Sequence, residues 1–291
     1  MKKFLFTVLA AATAFAAMAQ TDIWCWQGGA ATKKAATDSV TLAKPASLGD
    51  ILVWKDGVSA KLTATDSITF TNPYLENGCE YVDLGLTSGT KWATMNIGAE
   101  TPQDYGNYYA WGETTTKETY NWSTYLDGNI SRNSDCGTDK DALKGVTDIA
   151  GTQYDAAKAN WGGKWRMPTQ TQQDELRNEC YWVWTDSYNG SDVKGYIVYK
   201  AKTSSDKGVK ICEDETPSSS YKLSDAHIFL PAAGYRGGGV LKNAESYGYY
   251  WSSSLRAGSL YLAWGIVFGS GGVGNSSDYR YYGESVRAVF K

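Results

Sequence analysis

Ala263-Trp264-Gly265-Ile266-Val267-Phe268-Gly269 alternates bulky apolar residues with smaller ones. Successive side chains of a strand point to opposite faces, so Trp264, Ile266 and Phe268 are expected on one side of a sheet and Gly265, Val267 and Gly269 on the other. The bulky side is expected to hold the core, which leaves the opposite side free to meet a partner. From Ser252 to Tyr282 the surrounding chain is dominated by Gly, Ser and Tyr, residues that build adaptable contact surfaces.

Working outward, the chain from Tyr81 onward is rich in Gly, Trp and Tyr, with short strand-like runs between turn residues. Strands are expected at Tyr81 to Leu86, Lys91 to Met95, Tyr108 to Trp111, Tyr196 to Lys200, His227 to Leu230, Ala263 to Phe268 and Val286 to Phe290. Two helices are expected. One lies near Tyr154 to Asn160 and stops at Gly162-Gly163. The other starts after Pro168, where Thr169 and Gln172 have capping-box spacing. Two short helices among many short antiparallel strands make an α+β domain.

Upstream, Trp26-Gln27-Gly28-Gly29 through Thr37-Asp38-Ser39-Val40-Thr41-Leu42 aligns without a gap on Trp54-Lys55-Asp56-Gly57 through Thr65-Asp66-Ser67-Ile68-Thr69-Phe70. Each unit of this tandem repeat reads as strand, Gly turn, strand. The two units are expected to share one small sheet, and in this register Cys25 takes the place of Val53, as a packed thiol would. Asn72-Pro73 marks a boundary. The organisation expected is a small β-rich repeat region over 20–72 and a larger domain over 81–291.

Met1 to Ala19 has the form of a secretory signal peptide: Lys2 and Lys3, an apolar run from Phe4 to Ala17, and small residues at Ala17 and Ala19. An uncleaved anchor is the alternative, but the run is short of the roughly 20 residues that cross a bilayer. No later segment approaches that length, so a protein exported to the cell surface or beyond, with no membrane span, is expected. The five cysteines are odd in number and fit no metal knuckle, leaving one or two disulfides possible.

A net charge of −3 and a pI near 5.3 give no basic field for nucleic acid. The content of 12 Trp, 21 Tyr and 31 Gly instead favours loop-rich β structure with exposed rings, which leans towards binding. The only histidine, His227, enters an apolar strand, so a hydrolytic triad would depend on it alone. Asp174 and Glu175 point to different faces of a helix, which does not suit paired acid and base work. A non-enzymatic protein without cofactor or metal is expected.

A series of ordered landmarks carries a resemblance. It runs Val82-Asp83-Leu84-Gly85-Leu86, Lys91-Trp92-Ala93, Tyr109-Ala110-Trp111-Gly112-Glu113, Gly163-Lys164-Trp165-Arg166-Met167-Pro168-Thr169, Phe229 to Arg236, Tyr250-Trp251-Ser252-Ser253-Ser254 and Gly283-Glu284-Ser285-Val286-Arg287. From about Tyr81 to Lys291 the chain resembles the Fibrobacter succinogenes major paralogous domain family. It also resembles the variable proteins that diversity-generating retroelements modify in gut Bacteroidota. The resemblance implies a C-type-lectin-like fold in which the first and last strands pair and the late segment forms the ligand face, bound to a macromolecule (protein or glycan) at a cell or phage surface. The N-terminal repeats lie outside it and look like a common extension of exported Bacteroidota proteins.

In the variable proteins, diversified positions arise from asparagine codons altered at their first two bases, which cannot become Lys, Gln, Glu, Met or Trp. Between Ser252 and Gly283 the first four are absent and the single Trp is Trp264. A Gly-, Ser- and Tyr-rich loop lacking them by accident is the competing reading. The ligand contacts implied are Arg256, Ala257, Gly258, Ser259, Leu260, Tyr261, Leu262, Gly265, Val267, Gly269, Gly271, Gly272, Gly274, Ser276, Ser277, Asp278 and Tyr279. The supporting scaffold is Trp165, Arg166, Trp251, Trp264, Phe268 and Arg287. Large contact area is expected from Arg256, Leu260, Tyr261, Leu262 and Tyr279, while Gly269 to Gly274 also reads as a loop without a role.

Trp165-Arg166-Met167-Pro168 reads as a strand entering a capped helix, with Arg166 on nearby carbonyls. Tyr181, Trp182, Trp184 and Tyr188 read as core, or alternatively as a sugar-stacking platform. The chain lacks the Glu-Pro-Asn, Gln-Pro-Asp and Trp-Asn-Asp triplets of calcium-dependent lectins, and no convincing pair of reactive cysteines matches the related formylglycine-generating enzymes. The alternative function is an undiversified carbohydrate-binding or cell-envelope structural module.

Overall fold

The structure, a computed structural model, describes 21–27, 30–37, 39–42, 50–55, 58–63, 67–69, 74–128, 143 and 145–291, with backbone only in the strands before residue 70. The signal-peptide segment, Cys136 and the side chain of Cys25 lie outside the described set. Two compact units divide at Tyr74 and Leu75.

The first unit contains β1 (Thr21–Gln27), β2 (Ala30–Thr37), β3 (Ser39–Leu42), β4 (Asp50–Lys55), β5 (Val58–Thr63) and β6 (Ser67–Thr69). The single shared sheet expected here is replaced by two three-stranded sheets, ordered β2-β1-β6 and β3-β4-β5. Each repeat gives its third strand to the other: Val40 pairs with Val53, and Ile68 with Cys25, in the same register. Only residue 38 separates β2 from β3, too few for the chain to turn back onto β1. The first strand of the other repeat, having the same pattern, accepts β3 equally well.

The second unit is α+β, its strands mostly antiparallel. Its elements are β7 (Leu75–Glu76), β8 (Cys79–Val82), β9 (Lys91–Ala93), α1 (Ala156–Trp161), α2 (Gln170–Glu179), β10 (Cys180–Thr185), β11 (Gly195–Lys200), β12 (Lys210–Ile211), β13 (His227–Pro231), β14 (Tyr235–Gly237), β15 (Val240–Lys242), β16 (Tyr247–Leu255), β17 (Leu262–Gly269), β18 (Gly272–Tyr279) and β19 (Val289–Phe290). The sheets are β12-β10-β11-β13, the hairpin β14-β15, β16-β17-β18, and β19-β9-β8-β7. β19 therefore closes on β9 at the opposite end of the unit, with Val289 opposite Trp92.

Both helices have the starts their sequences require. The Asp155 carboxylate accepts from the Ala157 and Lys158 N–H groups to open α1, and Gly162 at φ 65° closes it. Thr169 and Gln172 form both bonds of a capping box ahead of α2. Four expected strands are shorter or absent. The strand from Tyr81 ends at Val82, since Gly85 turns the chain at φ 67°, and the next stops at Ala93 instead of Met95. Tyr109 makes one bridge to Glu284 and no strand. Val286 to Ala288 are spent on bonds to Ile97 and Ala93 before β19 begins.

Among the described residues, four apolar clusters hold the unit together, and the two largest position the β16-β17-β18 sheet. One joins Trp92, Leu176, Trp182, Tyr196, Ile266 and Phe268, and the other Trp111, Trp165, Trp251, Ala263 and Phe290. The indoles of the second cluster are satisfied: Trp111 Nε1 donates to Ser252 O at 3.0 Å and Trp251 Nε1 to Tyr109 O at 2.9 Å. These bonds clamp β16 to the distant segment Tyr109 to Trp111. Arg287 is fully buried and spends its donors on Asn96 Oδ1 and on the carbonyls of Ala93, Thr94 and Phe229. Among the described residues no carboxylate pairs with it, and burial lowers its guanidinium to about 10.

Candidate ligand-binding face

Residues directly opposite in antiparallel strands share a face, so the register of β16-β17-β18 sorts its side chains. Tyr250, Ile266, Phe268 and Val273 stand on the side of the first apolar cluster, facing α2. The other side carries Tyr247, Tyr249, Val267, Gly272, Gly274, Ser276 and Asp278, with Trp251 and Ala263 at its covered end. Phe268 takes its place because Gly248 has no side chain: a Cβ there would stand 2.1 Å from the ring.

Three residues depart from the expected division. Gly265 and Gly269 lie on the outer side but are buried. A Cβ on Gly265 would meet the Tyr250 carbonyl at 2.6 Å, and one on Gly269 the Tyr247 ring at 2.9 Å. Neither can offer a varied side chain to a ligand. Trp264, expected in the core, is half-buried, because its strand neighbour is Ser277 and the Arg256 guanidinium covers its ring at 5.5 Å. Gly271, Gly272 and Gly274 face open space, so this end of the sheet is bare backbone.

The expected contact residues thus fall into separate groups. Val267, Gly272, Gly274, Ser276 and Asp278 share the outer face with buried Gly265 and Gly269. Arg256 donates to Ser277 Oγ at 2.8 Å, and with Trp264 these two lie on the other side of the strands. Ala257, Gly258 and Leu260 are exposed in the turn between β16 and β17, which Ser259 and Leu262 hold through backbone bonds to Arg256. Tyr261, just before β17, and Tyr279, the last residue of β18, stand together with ring centres 6.0 Å apart.

An aromatic ridge beside this face escaped the sequence reading. Tyr249 and Tyr282 each lie 4.9 Å from Tyr235, Tyr282 lies 4.7 Å from Tyr281, and Tyr281 lies 5.0 Å from Trp122. Tyr247, 47% exposed, extends the ridge from Tyr249. The spacing of Tyr247 and Tyr249 and the run from Tyr279 to Tyr282 were the available signals. Neither shows that separate loops bring the rings together.

Two carboxyl groups lie against the ridge. Glu284 is 1% exposed, and its Oε1 has no hydrogen-bond partner. Its Oε2 lies 3.6 Å from where a Gly265 Cβ would be, which puts the carboxyl over the outer face. Burial, and then the charge of Asp278, holds the Glu284 carboxyl well above the usual range. Asp278 accepts from Ser276 Oγ, and burial raises its carboxyl too.

Past the Gly269–Gly272 end, the face opens into a cleft of about 780 Å³ whose walls include Trp184, Asp186, Lys194, Glu213, Glu245 and Tyr247. Lys194 pairs with Asp186 at 3.2 Å.

The remaining candidates are structural in their contacts. Trp165 and Met167 are buried, and Arg166 Nη1 donates to Met167 O and Gln172 Oε1. Tyr181, Trp182, Trp184 and Tyr188 are at most 8% exposed, so no open stacking platform exists there. His227 Nδ1 lies 2.8 Å from Asp225 O and Nε2 lies 2.9 Å from the Tyr188 hydroxyl. Burial lowers its pKa, with Asp225 acting in the opposite sense. Cys79, Cys180 and Cys212 are free thiols. Among the described residues no group of three or more His, Cys, Asp or Glu side chains is placed to hold a metal, and no helix is long and apolar enough to cross a membrane. No family model matches the chain, and no curated protein or solved structure matches it.

Proposed function

We propose that this is an exported protein that binds a macromolecular ligand, without transforming it, on the outer face of β16-β18. The observation that carries the reading is the division of β17, with Ile266 and Phe268 in the core while Val267 looks the other way over bare glycine backbone. A rigid underside and an uncovered upper side are what a recognition surface needs. The scaffold belongs to the proposal as a C-type-lectin-like domain, supported by the α+β composition and by the closure of β19 on β9. Export rests on the sequence of Met1 to Ala19.

Retroelement diversification is part of this reading, in a narrower form. Val267, Gly271, Gly274 and Ser276 have room for other side chains or already present one, while Gly265 and Gly269 do not. Comparison of this gene among sibling strains tests it. Substitutions are expected at the first four positions, with Gly265 and Gly269 constant. Changes scattered evenly over 75–291, or no near-copy repeat and reverse transcriptase beside the gene, overturn diversification. A Val267→Arg protein that keeps its ligand overturns the face itself.

A further inference from the structure

The centre of the face has an unbalanced charge. Glu284 points its carboxyl over Gly265, Oε1 is buried without a partner, and the charge acting on it is that of Asp278, on the same outer face. A buried carboxyl beside a second one, with no cation among the described residues acting on either, is costly once ionised. The nearby cations lie against rings: the Arg236 guanidinium over Tyr108 at 5.3 Å, Lys242 over Tyr235 at 5.9 Å, and the buried Arg280 over Tyr125 at 5.4 Å. Asp278 is only half-buried, so a ligand group can reach the pair through it. The rim is aromatic, formed by Tyr235, Tyr249 and Tyr282, whose hydroxyls are pushed up in pKa first by burial and then by neighbours that include Asp278. Aromatic faces around a carboxylate attract an ammonium or guanidinium group by both charge and quadrupole.

The cleft at the end of the face has the same sign. Asp186, Glu213 and Glu245 stand against a single Lys194, already paired to Asp186.

We propose that Asp278 and Glu284 form a subsite for a cationic side chain, arginine or lysine, on a protein partner, with the tyrosine rim packed around it. The proposal rests on the reading of this face as the binding surface and names the chemistry of its partner. A neutral glycan can donate hydroxyl hydrogen bonds to the pair but leaves its charge unbalanced, whereas a basic protein segment supplies the countercharge as well. Before binding, the pair avoids repulsion by keeping a proton; the incoming cation replaces that proton. Binding therefore releases a proton and tightens as pH rises.

The test is calorimetric titration of the full chain with an acetylated, amidated tetra-arginine peptide and with its neutral citrulline counterpart. Saturable arginine binding is expected, about tenfold tighter than citrulline, and tighter at about pH 8 than at about pH 5. Asp278→Asn is expected to weaken it about tenfold, and Glu284→Gln to flatten its pH dependence. Asp192→Asn, a change at an exposed carboxylate away from the face, should leave it alone. Equal binding of the two peptides, no saturable binding, or equal losses in Asp278→Asn and Asp192→Asn would overturn the subsite. Since the peptide comparison uses the unaltered protein, a variant that fails to fold does not blunt it. If Val267→Arg abolishes capture of the natural ligand while Asp278→Asn does not, the face survives and the cation subsite falls. A neutral glycan held equally by both proteins has the same consequence.

Discussion

The two sides of β17 are built from the same seven-residue alternation, yet they solve opposite problems. Inward, Phe268 fits against the bare backbone of Gly248 and Ile266 joins Trp182, Tyr196 and Leu176. Outward, the sheet has glycines, a valine, and an unbalanced carboxyl pair beneath tyrosines. Close packing leaves no freedom on the first side, since one added methylene forces neighbours off their rotamers. The second side has spare room and unsatisfied polarity, properties that cost stability and that a partner can make good.

Substitutions can break this contrast, and the inward side gives the largest effect. Phe268→Ala should cost about 4 kcal/mol in urea denaturation, from lost burial plus a cavity; a loss under about 1 kcal/mol would mean the inner side is not core. Gly265→Ala should cost about 2 kcal/mol because its methyl meets the Tyr250 carbonyl, a backbone atom that cannot swing away. Gly274→Ala, on the same face with open space above, should stay within about 0.5 kcal/mol. Equal costs at the two glycines would erase the division within the outer face.

The carboxyl pair gives a smaller, pH-dependent effect. Its folded pKa is raised, so its contribution to stability is complete below the unfolded value of about 4.3 and is lost as pH rises through the folded one. Glu284→Gln should therefore melt higher than the parent near neutrality, by an amount equivalent to about 1 kcal/mol, with the two converging below about pH 4. A parent protein more stable than the variant at neutral pH would show that Glu284 has found a countercharge. Least of all, Val267→Arg should change stability by no more than about 0.5 kcal/mol in thermal denaturation while altering the face. A cooperative loss of structure in that variant would place Val267 in the core.

Some of this was legible in the residues. Thr169 and Gln172 announce the start of α2 because a capping box is local, and Gly162 ends α1 for the same reason. The period-2 pattern of 263–269 was enough to place Ile266 and Phe268 inward. β18, Gly-Val-Gly-Asn-Ser-Ser-Asp-Tyr, has little strand propensity of its own and went unread; it is a strand because β17 offers it eight paired positions. β10 was missed because Cys180 follows α2 with no turn residue between them.

By itself, then, the sequence determined the features whose physics is short-range: two capped helices, the alternation of β17, the tandem repeat and the abundance of Gly and Tyr. Tertiary structure alone decided which outward residues are open. Gly265 and Gly269 share parity with Val267, but a carbonyl on the neighbouring strand closes over one and the Tyr247 ring over the other. Tertiary structure also set Glu284 beside Asp278 and gathered Tyr235, Tyr249 and Tyr282 from three segments. Burial and countercharge depend on what the rest of the chain brings near a residue, and no pattern of near neighbours contains that information.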